Sequence, residues 1–329
     1  MRTGNCPNRW SDRLITFDVI VVGAGPAGLA AGISLAAAGR SVLVLERSNR
    51  APDGPGETLH PGIEPIFDQL GVGDQMRAAA TSRHSEILID EPGGFRRIPY
   101  GPAWRGFQIP RRVLNSVLID LFSALGGTLC LATWALGCSF VGNNKIVETT
   151  DGAFQARWLI DSSGASGWLD RRLGKQMIKC SETIWLQYGY EGSTSAEQSE
   201  PQLKLRDNFW LWRAPLGNGC SAWVRGTQAR PALRSRGARI ADGTWKVSST
   251  PAVDGIFQVG DAACRLDPRS GHGVLRAIMS SMQAAFLLEA IDAGQIGQMS
   301  AERFYTDWIR GWFQSDATHL RRTVAASQD

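Results

Sequence analysis

Apolar positions along this chain fall into short blocks separated by glycine-rich punctuation. A continuous apolar run at Ile20, Val21 and Val22 predicts a strand buried on both faces. A small-residue stretch follows to about Arg40, with Gly39 as its stop, and predicts a helix packed closely on that strand. SVLVLER, residues 41–47, predicts the second strand. Residues 63–70 predict a short helix ending at Gly71, and residues 85–100 two short strands about a Pro-Gly-Gly turn. Residues 110–125 predict an amphipathic helix, opened by proline and closed by Gly126-Gly127. Residues 127–160 alternate as strands. The pattern is strand-like again from Lys179 to about Trp245, with Trp185, Trp210, Trp212 and Trp223. Residues 274–293 and 301–324 predict two closing helices.

This order predicts an α/β fold: a Rossmann-like nucleotide-binding domain with an inserted antiparallel β-sheet domain and C-terminal helices. The expected boundaries are a flexible tail over 1–16, a discontinuous nucleotide domain over 17–82, 101–178 and 250–329, and a substrate-binding sheet over 83–100 and 179–249.

Two glycine motifs carry the chemistry. DVIVVGAGPAGLAAGISLAAAGRSVLVLER contains Gly23, Gly25 and Gly28, with Ala24, Pro26 and Ala27 between them. The first glycine allows a tight turn, the second admits a pyrophosphate against the backbone, and the third lets helix and strand pack closely. Free N–H groups at the helix start face the phosphates. Glu46 and Arg47 end the second strand, where a carboxylate accepts from ribose hydroxyls. The distant FQVGDAACRLDPRSGHGVLRA suits a segment that returns to the same cofactor and closes over it. Together the motifs point to FAD.

Composition adds exclusions. A net charge of +4 is too small and dispersed for a nucleic-acid binder. Six cysteines are scattered, with no CxxC pair and no His/Cys cluster, so neither a disulfide framework nor a metal site is expected. No charge occurs between Asp18 and Arg40, but that stretch holds too many glycines for a spanning helix. We expect no transmembrane segment, and a cytoplasmic protein.

These residues resemble the para-hydroxybenzoate-hydroxylase-type FAD-dependent oxidoreductases, a superfamily of aromatic monooxygenases, flavin halogenases and geranylgeranyl reductases. GETLHPGIEPIFDQLGV, the RxxLN at 111–115 and GDAACRLDPRSGHGVLRA are most similar to the halogenase-like branch, which includes maturases that hydroxylate a protein-borne tryptophan. The resemblance implies that Asp261, after Gly260, binds the ribityl chain. It also implies that Pro268, Gly271, His272, Gly273 and Val274 border the flavin ring and that Arg111 reaches the FAD. Glu57 and His60, in the GETLHP loop, are candidate acid, base or anchoring groups with His272. His84 and His319 read as ordinary histidines. Trp210 and Trp212 are candidate pocket residues.

The same resemblance disfavours halogenation. WLWRAP matches the halogenase tryptophan motif except at Ala214, but no lysine precedes Lys145, so the amine that halogenases use has no counterpart. Asp161 is followed by Ser162-Ser163-Gly164 in place of the hydroxylases' Asp-Gly, which leaves open whether NAD(P)H or a separate flavin reductase supplies electrons. The implied activity is monooxygenation of a small aromatic, indole-type or protein-borne substrate with O2, through a C4a-hydroperoxyflavin. An isoprenoid reductase and a non-catalytic FAD-binding accessory protein are the alternatives.

Overall fold

The computed structural model describes residues 14–50, 57–192, 200–217, 219–232 and 237–325; Glu57, Ser270 and residues 323–325 are described in their backbone only. Five parallel strands form the nucleotide-binding sheet: β1 (Ile15–Val22), β2 (Val42–Leu45), β3 (Thr128–Cys130), β4 (Gly152–Asp161) and β5 (Ile256–Gln258). Their spatial order is β5-β4-β1-β2-β3. Read from β3, this is the strand order of a doubly wound dinucleotide-binding half, whose ligands sit beyond the carboxyl ends of the strands.

Alternation along each strand builds two cores. Val19, Val21, Val42 and Val44 face the side covered by helices α1 (Pro26–Ala37), α2 (Arg111–Ala124) and α3 (Gly273–Asp292). Ile20, Val22, Leu43 and Leu45 face Phe154, Trp168 and Leu169 on the other side. Because both faces are covered, the strands read as unbroken apolar runs.

Small residues set the spacing of the helical layer. A Cβ on Gly32 would meet the Phe122 ring of α2 at 2.9 Å. The Ser281 hydroxyl of α3 donates to the Ala27 carbonyl of α1 at 2.7 Å. α3 is long and apolar enough to cross a membrane by length and composition, but it packs against α1, with Val274, Ile278, Ala284, Ala285 and Leu288 buried. The uncharged stretch within 18–40 resolves into β1 and the short, buried α1. α4 (Gln298–Ala325) closes the chain, and the buried Tyr305 hydroxyl donates to the Gln258 carbonyl at 2.7 Å.

A seven-stranded sheet lies over the carboxyl ends of the first. Its order is Arg239–Asp242, Trp185–Gly192, Cys220–Thr227, Phe209–Gly217, Gln202–Arg206, Glu86–Glu91 and Gly94–Pro99. Every pairing is antiparallel except that of Gln202–Arg206 with Glu86–Glu91, which is parallel. The antiparallel insert expected from the sequence is thus present, with this one parallel junction. At that junction two segments distant in sequence meet, so no hairpin forces the direction.

The N-terminal boundary also shifts. β1 begins at Ile15, which pairs with Phe154, so the tail expected over 1–16 gives up its last two residues to the sheet. Residues 1–13 lie outside the described residues.

The tightest approach to backbone in the nucleotide half is at Gly28, where a Cβ would stand 1.9 Å from the Gly23 carbonyl oxygen and 2.5 Å from Ser162 Oγ. Backbone cannot yield as a flexible side chain does. Gly28→Ala should therefore destabilise the fold by about 3 kcal/mol or more, read from the urea midpoint.

Candidate active site

A cleft of about 1120 Å³ opens at the carboxyl ends of β1, β2, β4 and β5. Val22, Gly23, Gly25, Pro26 and Ala27 form its floor, and Glu46 and Arg47 one end. Gly23 takes φ +109, a left-handed conformation that glycine tolerates, and Ser162 packs against it. Gly25 is different: nothing stands within 4 Å of where its Cβ would be, so this position is open toward the cleft. Gly25 is the N-cap of α1 and offers no side-chain acceptor to the helix N–H groups. Those donors and the helix dipole are left for an anion.

Glu46 is buried at the end of β2 and holds the turn together. Its carboxylate accepts from the backbone N–H of Ala24 and of Ser48, each at 2.9 Å. A carboxylate has about four lone-pair sites, so capacity remains for ribose hydroxyls. Asp161, wholly buried, serves the architecture. It accepts from Ser163 N–H at 3.0 Å and Leu169 N–H at 3.1 Å, although burial raises its pKa.

The second glycine motif supplies the opposite wall. Asp261 is accessible to the cleft, and its carboxyl pKa is raised by desolvation against the pull of Arg265, Arg111 and Arg276. Gly260 has φ +58 and lies close to Ala27 and Ala277; its N–H donates to Ser280 Oγ at 2.9 Å. Gly271 (φ +65) and Gly273 have no atom within 4 Å of where a Cβ would stand, so both keep the backbone bare toward the cleft. Cleft size, an open glycine cradle at a helix start, a strand-end carboxylate and a second bare backbone segment together fit a dinucleotide the length of FAD.

A second cavity, about 550 Å³, lies beyond Trp212 and Arg276, which line both spaces. Trp212 Nε1 donates to Thr58 Oγ1 at 3.2 Å, which ties the large sheet to the GETLHP segment. The walls are mostly Ile87, Ile89, Ile98, Leu203, Leu205 and Trp210. His60, His272 and Tyr100 supply polar points: the His60 ring lies 4.8 Å from His272 and 5.7 Å from Tyr100, both edge-on. His60 Nδ1 accepts from Gly62 N–H at 3.1 Å, which places the proton of the neutral ring on Nε2. Burial lowers the pKa of His60, and burial followed by Arg276 takes His272 down to about 4.

Behind Tyr100 stands His84, only 1% exposed. Its Nε2 lies 3.2 Å from the Tyr100 hydroxyl, and a Cβ on Gly106 would meet that nitrogen at 2.3 Å. Burial, then the charge of His60, lowers its pKa to about 4.

The sequence candidates thus separate. Gly23, Gly25, Pro26, Ala27, Glu46, Arg47, Arg111, Gly260, Asp261, Pro268, Gly271, Gly273 and Val274 line the cleft. Ala24 and Gly28 lie beneath it, shaping the turn. His60, His272, Trp210 and Trp212 gather at the second cavity, so His272 lies there and not in the cleft. The backbone of Glu57 pairs with Ile109, and its side chain lies outside the described residues. His319, read as ordinary, lines the second cavity. Arg276 and Tyr100 were missed. Arg276 carried a signal, being the single cation in the apolar α3 segment, where a buried charge demands a partner. Tyr100 carried none, because its role depends on a strand meeting His84.

The depressed His84 pKa has a consequence for stability. The unfolded chain takes up a proton near pH 6.5 that the native state refuses until about pH 4. The contribution is intact above pH 6.5 and lost as the pH falls toward 4. By pH 5 the loss should amount to roughly 1–2 kcal/mol, so His84→Asn should flatten the decline in melting temperature between pH 7 and 5.

The family model for an FAD binding domain (FAD_binding_3) matches residues 16–195. A menaquinone reductase from Mycobacterium tuberculosis is 28% identical over 322 residues, covering 85% of this chain and 78% of its own. Among solved structures, CmlS, a flavin-dependent halogenase, superposes with TM-score 0.83 at 18% identity, over 92% of this chain; this chain spans only 64% of that one. PqsL of Pseudomonas aeruginosa, a probable FAD-dependent monooxygenase, superposes with TM-score 0.82 at 14% identity, over 95% of this chain and 97% of its own. At such identities the structural likeness speaks for the fold. The family match spans more than half of the chain and includes the whole α1 turn, so the protein belongs to the FAD binding domain family and is an FAD-dependent oxidoreductase.

Proposed function

We propose that this protein is an FAD-dependent monooxygenase that hydroxylates an aromatic or indole-type substrate held in the second cavity. In this reading the large sheet, with 83–100 and 179–249, is the substrate-binding part. Gly25 and the start of α1 receive the pyrophosphate, Glu46 the adenosine ribose, Asp261 the ribityl chain, and the Gly271–Val274 backbone the flavin ring. When bound, FAD carries electrons to dioxygen beside the substrate. NAD(P)H or a separate flavin reductase supplies them.

The observation that carries this reading is the protonation of the cavity. His60 and His272 are both held below the ordinary imidazole range, and burial pushes the Tyr100 hydroxyl pKa up. Near neutral pH none of these three groups is a ready acid. Aromatic hydroxylation removes a proton from the ring, so it needs an acceptor, and neutral His272 is in the accepting form. Saturation of an isoprenoid double bond needs a proton donor as well as a hydride. That second reading is favoured by the aliphatic walls at Ile87, Ile89, Leu203 and Leu205 and by the similarity to a menaquinone reductase. Halogenation is disfavoured: among the described residues no lysine lines the cavity.

Gly25→Leu should leave the melting temperature of the apoprotein unchanged, because its side chain enters open space, while weakening FAD binding by roughly a hundredfold in a fluorescence titration. For the reaction itself, the FAD-loaded protein is reduced anaerobically with NADPH, NADH or dithionite and then mixed with oxygen and indoles or phenols. Oxygen uptake coupled to a product carrying one added oxygen atom is expected, with His272→Gln slowing turnover by about a hundredfold or more. Anaerobic saturation of menaquinone, without aromatic-dependent oxygen uptake, would replace this proposal with the reductase.

A further inference from the structure

The charges around the second cavity specify what it takes. Arg206, Arg269 and Arg276 all line it, yet each already has a carboxylate. Arg206 contacts both oxygens of Asp90, at 2.9 and 3.1 Å. Arg269 pairs with Asp267 at 2.8 Å, and that carboxylate is fully buried. Arg276 pairs with Asp316 of α4, with side chains only 12% and 18% exposed. Asp207 adds a further carboxylate to the lining. His60 is neutral, its Nδ1 occupied by Gly62.

An entering carboxylate would find each of the three arginines that line the cavity already facing a carboxylate; the donor left over, Arg276 Nε, is buried. Recruiting Arg269 would strand the buried Asp267 without its cation, and recruiting Arg276 the half-buried Asp316, the costly way to break an ion pair. Leaving the arginines in place would put the carboxylate against isoleucine and leucine side chains, where its hydration is lost uncompensated. A neutral ring meets neither cost. It gains apolar contact with Ile87, Ile89, Leu203, Leu205 and Trp210, and the Tyr100 hydroxyl offers a neutral handle, as do Asn208, Thr227 and Gln228. His84 holds the Tyr100 hydroxyl from behind in the space Gly106 leaves clear.

We infer that the second cavity selects a neutral aromatic substrate bearing a hydrogen-bonding group toward Tyr100 and no free carboxylate. This rests on the reading of that cavity as the substrate site. It separates the protein's substrate from free aromatic acids and amino acids.

The test compares 3-methylindole with indole-3-acetate on the FAD-loaded protein at pH 8, where an ordinary imidazole is uncharged. Binding is followed by perturbation of the flavin spectrum and, independently, by equilibrium dialysis. The neutral ligand is expected to bind at least about tenfold more tightly. Asp316→Asn, which releases Arg276, should narrow or reverse that ratio, as should Asp90→Asn at the more exposed Arg206. Both effects are measured against a wild-type ratio that needs no variant to fold. Equal or tighter binding of indole-3-acetate to the wild type, or failure of both ligands to bind, overturns the inference. Oxygen uptake is scored separately: tight neutral binding without oxygen consumption would sink the monooxygenase reading and leave this one standing.

Discussion

The structure depends on one close approach of backbone to backbone, between the Gly23 turn and the start of α1. At Gly28 the distance to the Gly23 carbonyl leaves no room for a Cβ. Ser162 reinforces the contact from β4, its hydroxyl donating to the Val22 and Gly23 carbonyls at 2.9 and 2.8 Å. Glu46 fixes the other side through Ala24. Three strands thereby hold one helix terminus at the mouth of the cleft. The anion site is made of backbone, so its position is set by packing and not by side-chain rotamers.

The second motif extends this constraint across the cleft. α3 is locked to α1 by Ser281 on Ala27, and Gly260 lies against Ala27. The two segments that face the cofactor are therefore neighbours in one packed layer. Arg276, one turn into α3, carries the coupling outward. It stands at the junction of cleft and cavity and reaches Asp316 on α4, which makes the last helix a wall of the second cavity.

The two spaces differ in their physics. The cleft is lined by backbone, carboxylates and arginines, and it is suited to a charged, hydroxyl-rich cofactor. The cavity beyond Trp212 is largely aliphatic, its arginines are paired with aspartates, and burial lowers the pKa of His60 and His272.

Much of the cleft was legible in the chain because its rules are local. The spacing of Gly23, Gly25 and Gly28, the strand-end Glu46 and the helix that follows lie within one βαβ unit, and short-range sterics dictate each role. Glycine at 260, 271 and 273 was legible for the same reason, since positive φ or bare backbone is a property of single positions. The cavity was less legible. That His272 lies at the second cavity, that Tyr100 meets His84, and that Arg276 finds Asp316 are decided by contacts between residues far apart in sequence. The parallel junction in the large sheet belongs to the same class. The sequence by itself determined the glycine turn and the helix start that floor the cleft, because backbone conformation and strand-helix packing follow from neighbouring residues. Only the tertiary structure decided which charges are neutralised and which rings share a cavity, because burial and ion pairing arise when distant segments are brought together.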